Sequence, residues 1–117
     1  MTGIKPERQR YFVVNYLYRR LLADQEIWRL ISSSTFQLFG LKGMAEMGLY
    51  LTKNNVTEPF FIVRVTHKHV DKLHAVLCTI TQHDGHPVTC KTVYKSGTVK
   101  KALEMLEQKK NTNLMTV

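Results

Sequence analysis

The chain has 117 residues, 44% of them hydrophobic, and its 17 Lys and Arg against 9 Asp and Glu give a formal net charge of +8. That length fits one domain with a real hydrophobic core and leaves little room for a deep active site. The positive excess favours a polyanionic partner, nucleic acid first; a membrane is disfavoured, because no apolar run nears membrane length and no basic helix carries a bulky apolar face.

The lead-in from Met1 to Arg10 lacks the apolar stretch of a secretory signal, so an intracellular, reducing compartment is expected. There Cys78 and Cys90 should be free, partly buried thiols, and the Asn55-Val56-Thr57 sequon has no use. Arg8 and Arg10 end this basic lead-in, and Tyr11 to Tyr18, rich in β-branched and aromatic residues, reads as the first strand. Asp24 can cap the helix that follows. Its buried stripe is Ile27, Leu30, Ile31 and Leu38 with Trp28 at the margin, Ser32-Ser33-Ser34 weakens it locally, and Gly40 is placed as its stop. A second strand is expected from about Met44 to Thr52, with Ala45, Met47, Leu49 and Leu51 alternating on one face. Lys53-Asn54-Asn55 then turns the chain into a third strand, Phe60 to Val65. Val70, Leu73, Val76, Leu77 and Ile80 follow a second helical stripe, ended by the Asp84-Gly85 turn, and Val88 to Tyr94 forms a fourth strand.

At Lys95-Ser96-Gly97-Thr98-Val99-Lys100-Lys101 the hydrophobic period switches from two to that of a helix carrying Val99, Ala102, Leu103 and Leu106. Glycine lets a ligand approach the backbone, Ser96 or Thr98 can cap the new helix, and its first amides are unsatisfied donors in a partly positive field. Lys95, Lys100 and Lys101 add full charges, so the junction suits a phosphate, although a capped helix with solvated lysines explains the same residues. The polar end from Gln108 to Thr116 should fray.

The order β-α-β-β-α-β-α describes an α+β fold, a ferredoxin-like or RRM-like two-layer sandwich with a four-stranded antiparallel sheet and an added C-terminal helix. One domain is expected, folded over about residues 9–108 with flexible ends. Phe61, Val63 and Val65 should face the two helices, leaving Phe60, Ile62 and Arg64 with Tyr50 and Glu46 on the second face. Either the last helix folds over that face through Val99, Leu103 and Leu106, or the face stays open for a partner or stacked bases. The first and fourth strands are neighbours in this fold, so Arg8, Arg10, Lys91, Lys95, Lys100 and Lys101 can merge into one basic patch.

Other chemistries find less support. His67, His69, His74, His83 and His86 lack metal-ligand spacing and suit phosphate neighbours better. No paired carboxylates, nucleophile elbow or glycine-rich phosphate loop is present, so a small-molecule or acyl-phosphate enzyme of this fold would need chemistry the motifs do not supply. Pro59-Phe60-Phe61-Ile62-Val63-Arg64-Val65 lacks the aromatic and glycine spacing of an RNA-recognition motif, which disfavours sequence-specific reading of single strands; a generic RNA-binding module stays open.

Several segments together resemble the small protein subunit of ribonuclease P and MRP of archaea and eukaryotes, often called component 2. Arg10-Tyr11 resembles that family's basic-Tyr start of strand one, and Phe39-Gly40-Leu41-Lys42-Gly43-Met44-Ala45 its glycine-containing passage into strand two. Ile62-Val63-Arg64-Val65 with Val70-Asp71-Lys72-Leu73 is similar to its Ile-Ile-Arg-Cys strand and following helix, Val65 replacing the Cys. Ser96-Gly97-Thr98-Val99-Lys100-Lys101 resembles its Ser-Gly-Thr-Ile-Lys-Lys junction most specifically. The resemblance implies a non-catalytic subunit of ribonuclease P supporting 5′-end maturation of precursor tRNA, with chemistry done by an RNA that requires Mg²⁺ and no cofactor on the chain itself. With that reading, the basic patch and the junction give Arg8, Arg10, Lys91, Lys95, Ser96, Gly97, Thr98, Lys100 and Lys101 as the expected RNA contacts, with precursor tRNA engaged indirectly. A barrel-shaped component 3 subunit is the implied protein partner, with a heterotetramer as one arrangement. The implied location is the cytoplasm for an archaeal protein, for which the lack of a long C-terminal extension speaks, and the nucleus or nucleolus for a eukaryotic one.

Overall fold

A computed structural model describes residues 8–115, with side chains described as far as residue 110. The lead-in before Arg8, on which the leader expectation falls, and Thr116 lie outside the described residues. Strand β1 (Gln9–Leu17) is the second from one edge of a sheet whose other members are β2 (Tyr50–Asn54), β3 (Phe60–Thr66) and β6 (Thr89–Ser96), in the order β2-β3-β1-β6. All three pairings are antiparallel. Helices α1 (Asp24–Met47) and α2 (Val70–Thr79) cover one face, and α3 (Val99–Met115) packs on the other. The result is the α+β, ferredoxin-like arrangement with three helices.

Alternation along the strands builds both cores at once. Phe12, Val14, Tyr16, Phe61, Val63 and Val65 meet Ile27, Ile31, Leu73, Val76 and Leu77 of the helices. The opposite set, Val13, Phe60 and Ile62, is sealed by Ala102 and Leu106 of α3, with Leu103 partly buried beside them. The helix therefore covers the middle of the second face, and Val99 stays at its margin. Each large apolar side chain so buried contributes about 1.5–3 kcal/mol before conformational entropy is charged against it.

The passage between α1 and β2 departs from expectation. Gly40 does interrupt the helix, with φ 72° and ψ −178°, but the chain resumes helical geometry and continues to Met47. Leu41, Lys42, Met44, Ala45, Glu46 and Met47 are strong helix formers, and that preference overrides their apparent alternation. Gly48 then ends the helix in the left-handed region at φ 60°, and β2 begins only at Tyr50. Glu46 is accordingly on a helix and not on the second sheet face.

Three smaller expectations also change. Leu38 is exposed; the stripe runs Ile27, Ile31, Thr35 and partly buried Phe39, and Thr35 is tolerated because its hydroxyl donates to the Ile31 carbonyl at 2.7 Å. Asp24 does not cap α1. The position before the helix is Ala23, whose N–H donates to Glu26 at 3.0 Å, while Asp24 accepts from Asn54 at 2.9 Å and ties the helix start to the end of β2. Cys78 is exposed on the outer side of α2, whereas Cys90 packs against the main core, where burial pushes its thiol up to about 12.

The Asp84-Gly85 turn has positive φ at both residues, 51° and 78°, as a tight hairpin requires, and closes a small ribbon of β4 (Gln82–His83) and β5 (His86–Pro87). A side-chain clip holds this ribbon to the start of α1. His83 Nε2 lies 3.0 Å from Glu26 Oε2, and Arg20 donates to both Glu26 oxygens at 2.9 and 2.7 Å. Tyr18, just past β1, donates its hydroxyl to the His83 carbonyl at 2.9 Å.

Candidate nucleic-acid interface

Basic residues gather at the opposite end of β1, where its first residues meet the last residues of β3 and β6. Gln9 pairs with Thr66 and Phe12 with Lys95, so the Arg10 side of β1, the turn after β3 and the end of β6 share one corner. The His67 N–H donates to the Arg8 carbonyl at 2.8 Å and fixes the single 3-10 turn His67–His69 beside the strand start. Between these elements lies an open groove of about 510 Å³, lined by Arg10, His67, Lys68, Asp71, Lys95, Ser96 and Gly97. Asp71, in the first turn of α2, is the one carboxylate among the lining residues.

The junction that closes the groove is internally braced. Ser96 is buried, and its hydroxyl accepts from the Thr98 N–H at 3.1 Å while donating to the Thr98 carbonyl at 2.9 Å. Thr98 is the cap: its carbonyl takes the first α3 hydrogen bond from Ala102 N–H at 3.1 Å, and its hydroxyl accepts from Lys101 N–H at 3.2 Å. Gly97 is not in the left-handed region, and a Cβ there would meet Arg10 Nη1 at 3.4 Å, an ordinary contact. What the glycine leaves clear is therefore the Arg10 guanidinium. Lys95 Nζ lies 5.4 Å from the centroid of the buried Phe12 ring, which holds the ammonium against the sheet end.

The expected residues are not all brought together. Arg10, Lys95, Ser96 and Gly97 line the groove and Thr98 caps the adjoining helix. Lys100 and Lys101 stand exposed on the first turn of α3, Lys101 sharing its charge with Glu104 at 3.8 Å, and exposed Arg8 sits at the entry to β1. Lys91 goes elsewhere. Between the pairs Val13 with Tyr94 and Val14 with Thr92, Val93 is an extra residue, a bulge that shifts the alternation. Lys91 consequently pairs with Asn15 and Lys95 with Phe12, on opposite faces of the sheet. Lys68 was not among the expected residues, because its approach to Arg10 depends on the end of β3 lying beside the start of β1.

Glu26, His83 and Asp84 place ligand atoms within 4.8 Å of one another, the one such cluster among the described residues. Its chemistry is already satisfied: Glu26 is held by Arg20, the Ala23 N–H and His83. No helix among the described residues is long and apolar enough to cross a membrane.

Comparison with known proteins points in one direction. Residues 10–107 match the model of the Rpp14/Pop5 family. Over 98 residues the chain is 29% identical to ribonuclease P protein component 2 of Methanococcus aeolicus, covering 84% of this chain and 71% of that protein. Component 2 of Thermococcus gammatolerans is 26% identical over 81% of this chain and 79% of its own length. Methanocaldococcus jannaschii component 2 is 28% identical over 82% of this chain and 70% of its own. A chain in the cryo-EM structure of yeast ribonuclease MRP superposes with a TM-score of 0.63 over 98% of this chain and 100% of its own, at 13% identity, a likeness of fold.

Proposed function

The chain belongs to the Rpp14/Pop5 family of ribonuclease P and MRP protein subunits, and from that premise we propose that it is a non-catalytic subunit that grips the backbone of the catalytic RNA during 5′-end maturation of precursor tRNA. The observation that carries this reading is the convergence of Arg10, Lys95 and the Ser96-Gly97 elbow on one open groove beside the start of α3. Arg10 offers a forked donor set to phosphate oxygens, and Lys95 a point charge seated on Phe12. The amides of the first turn of α3 favour a further phosphate. Contacts of this kind neutralise backbone repulsion and set the orientation of the RNA without reading bases. Arg8, Lys100 and Lys101 extend the positive field outside the groove. Mg²⁺ belongs to the RNA in this reading, and precursor tRNA is engaged through it. A component 3 subunit is the proposed protein partner, and the archaeal relatives favour a cytoplasmic setting.

Reconstitution tests the proposal. Adding the chain, with and without a component 3 protein, to a cognate ribonuclease P RNA should raise cleavage of precursor tRNA and lower the Mg²⁺ needed. Lys95→Ala should reduce the stimulation and lessen the slope of log affinity against log salt by about 0.9, the value of one lost duplex phosphate contact. Stimulation absent at every Mg²⁺ concentration overturns the reading.

A further inference from the structure

On the second face of the sheet, Tyr50, Arg64 and Tyr11 form a row across three strands that starts at the margin of the part α3 seals, where Tyr11 is partly buried, and runs outward to exposed Tyr50. Arg64 of β3 is paired with Tyr50 of β2 on one side and Tyr11 of β1 on the other, and paired residues of antiparallel strands project to one face. The Arg64 guanidinium carbon lies 5.0 Å from the Tyr50 ring centroid, so the cation occupies one face of that ring. Tyr50 nevertheless keeps 56% of its surface exposed. Core packing does not account for a tyrosine that has a cation over its ring and is left more than half exposed. Arg64 Nε is also buried without a hydrogen-bond partner, and no carboxylate among the described residues neutralises the group. A second bulge, at Thr52, turns the neighbouring Lys53 onto the same face, opposite Ile62, where it stands exposed.

We infer that this row is a stacking site for one unpaired nucleotide of RNA. The base lies on the solvent side of the Tyr50 ring, the Arg64 cation backs the ring from beneath, and Lys53 meets the adjoining phosphate. The occupant follows from charge and from continuity. The cations Lys53 and Arg64 beside the aromatic rings match a base with its phosphate better than an apolar peptide, which offers no negative charge to either cation. Tyr11 pairs with Ser96 and follows Arg10 directly, so the row and the basic groove lie on the two faces of the same sheet end, and one RNA strand can pass from phosphate contacts in the groove to the platform. Sequence selectivity is not implied, since every base has a face to stack.

The inference rests on the RNA-binding reading above, and the test separates the two. The full chain is titrated with a single-stranded octaribonucleotide carrying one aminopurine, a fluorescent adenine analogue quenched on stacking, and in parallel with a duplex of the same sequence. Quenching is expected with the single strand. Tyr50→Ala should abolish it and weaken single-strand affinity about tenfold, the order of one base–aromatic stack, while duplex affinity holds. Tyr50→Phe should restore both quenching and affinity, and unchanged thermal unfolding of both variants shows that the exposed side chain is not supporting the fold. Duplex binding with the expected salt slope but no quenching, or an equal loss on both RNAs in Tyr50→Ala, overturns the stacking site and leaves the groove reading intact. Binding to neither RNA overturns the groove reading, and the stacking site with it.

Discussion

Gly97 stands beside the Arg10 guanidinium, and its contribution is steric openness, since its backbone lies outside the left-handed region. A methyl group fits 3.4 Å from Arg10 Nη1, so Gly97→Ala should leave both unfolding temperature and RNA affinity nearly unchanged. A branched side chain has to extend over the guanidinium, and Gly97→Leu should weaken RNA binding in a filter-binding titration while thermal unfolding stays close to that of the parent. A matching drop in stability would return the glycine to a role in the helix start. Asp71 acts in the opposite sense. It favours the N-terminus of α2 through the helix dipole, yet its charge opposes an anion in the groove that it helps to line. Asp71→Asn should therefore tighten RNA binding by about 0.2–1 kcal/mol, the scale of an exposed charge pair, with the gain fading at high salt.

The elements show where local pattern and tertiary structure agree. Strands β1 and β3 are legible as near-continuous β-branched and aromatic runs buried on both faces, and helices α2 and α3 because their stripes keep one period, although α2 ends at Thr79 and the Asp84-Gly85 turn closes the β4–β5 ribbon instead. The second half of α1 is not legible, because Ala45, Met47, Leu49 and Leu51 satisfy a two-residue period by coincidence while their neighbours prefer a helix. Arg10 and Lys95 were accessible from topology, since adjacent strands bring them together. Lys91 was not, because nothing in Thr92-Val93-Tyr94 announces the bulge that sends it to the other face. Arg64 and Tyr50 were legible as partners on the second face, whereas Tyr11 was not, because its place beside Arg64 depends on the register of β1 with β3. Gly40 offers a test of the broken helix. Its conformation, φ 72° with ψ −178°, is open almost only to glycine, while no atom lies within 4 Å of where a Cβ would be. Gly40→Ala should thus destabilise by about 1–3 kcal/mol in urea unfolding through backbone strain alone. At Gly43 the cause differs, because a Cβ would approach Phe39 Cβ to 2.6 Å, so the same substitution there acts by crowding.

Across the whole molecule, one end of the sheet carries the basic groove and the other carries the clip of Arg20, Glu26, His83 and Asp84. The clip fastens the β4–β5 ribbon to α1, and its pH response can be derived. The Arg20 guanidinium foremost, then the Ala23 N–H and His83, hold the Glu26 carboxyl well below the usual carboxylate range. A group whose pKa is lower in the folded state binds protons more readily when unfolded, so its stabilisation is complete above the unfolded value, near 4.3 for Glu, and declines as pH falls below it. Glu26→Gln should accordingly be less stable than the parent at neutral pH, and the gap measured by urea unfolding should narrow steadily as the medium is made acid from about pH 5 downward. A gap that stays constant across that range would assign the loss to the fit of the amide beside Arg20 and His83 and not to the charge, since Gln keeps an oxygen to accept from the Ala23 N–H. Because Arg10 and Lys95 lie at the far end of β1, the same variant should retain its RNA affinity at neutral pH, and a loss there would mean that the ribbon end of the molecule also takes part in binding.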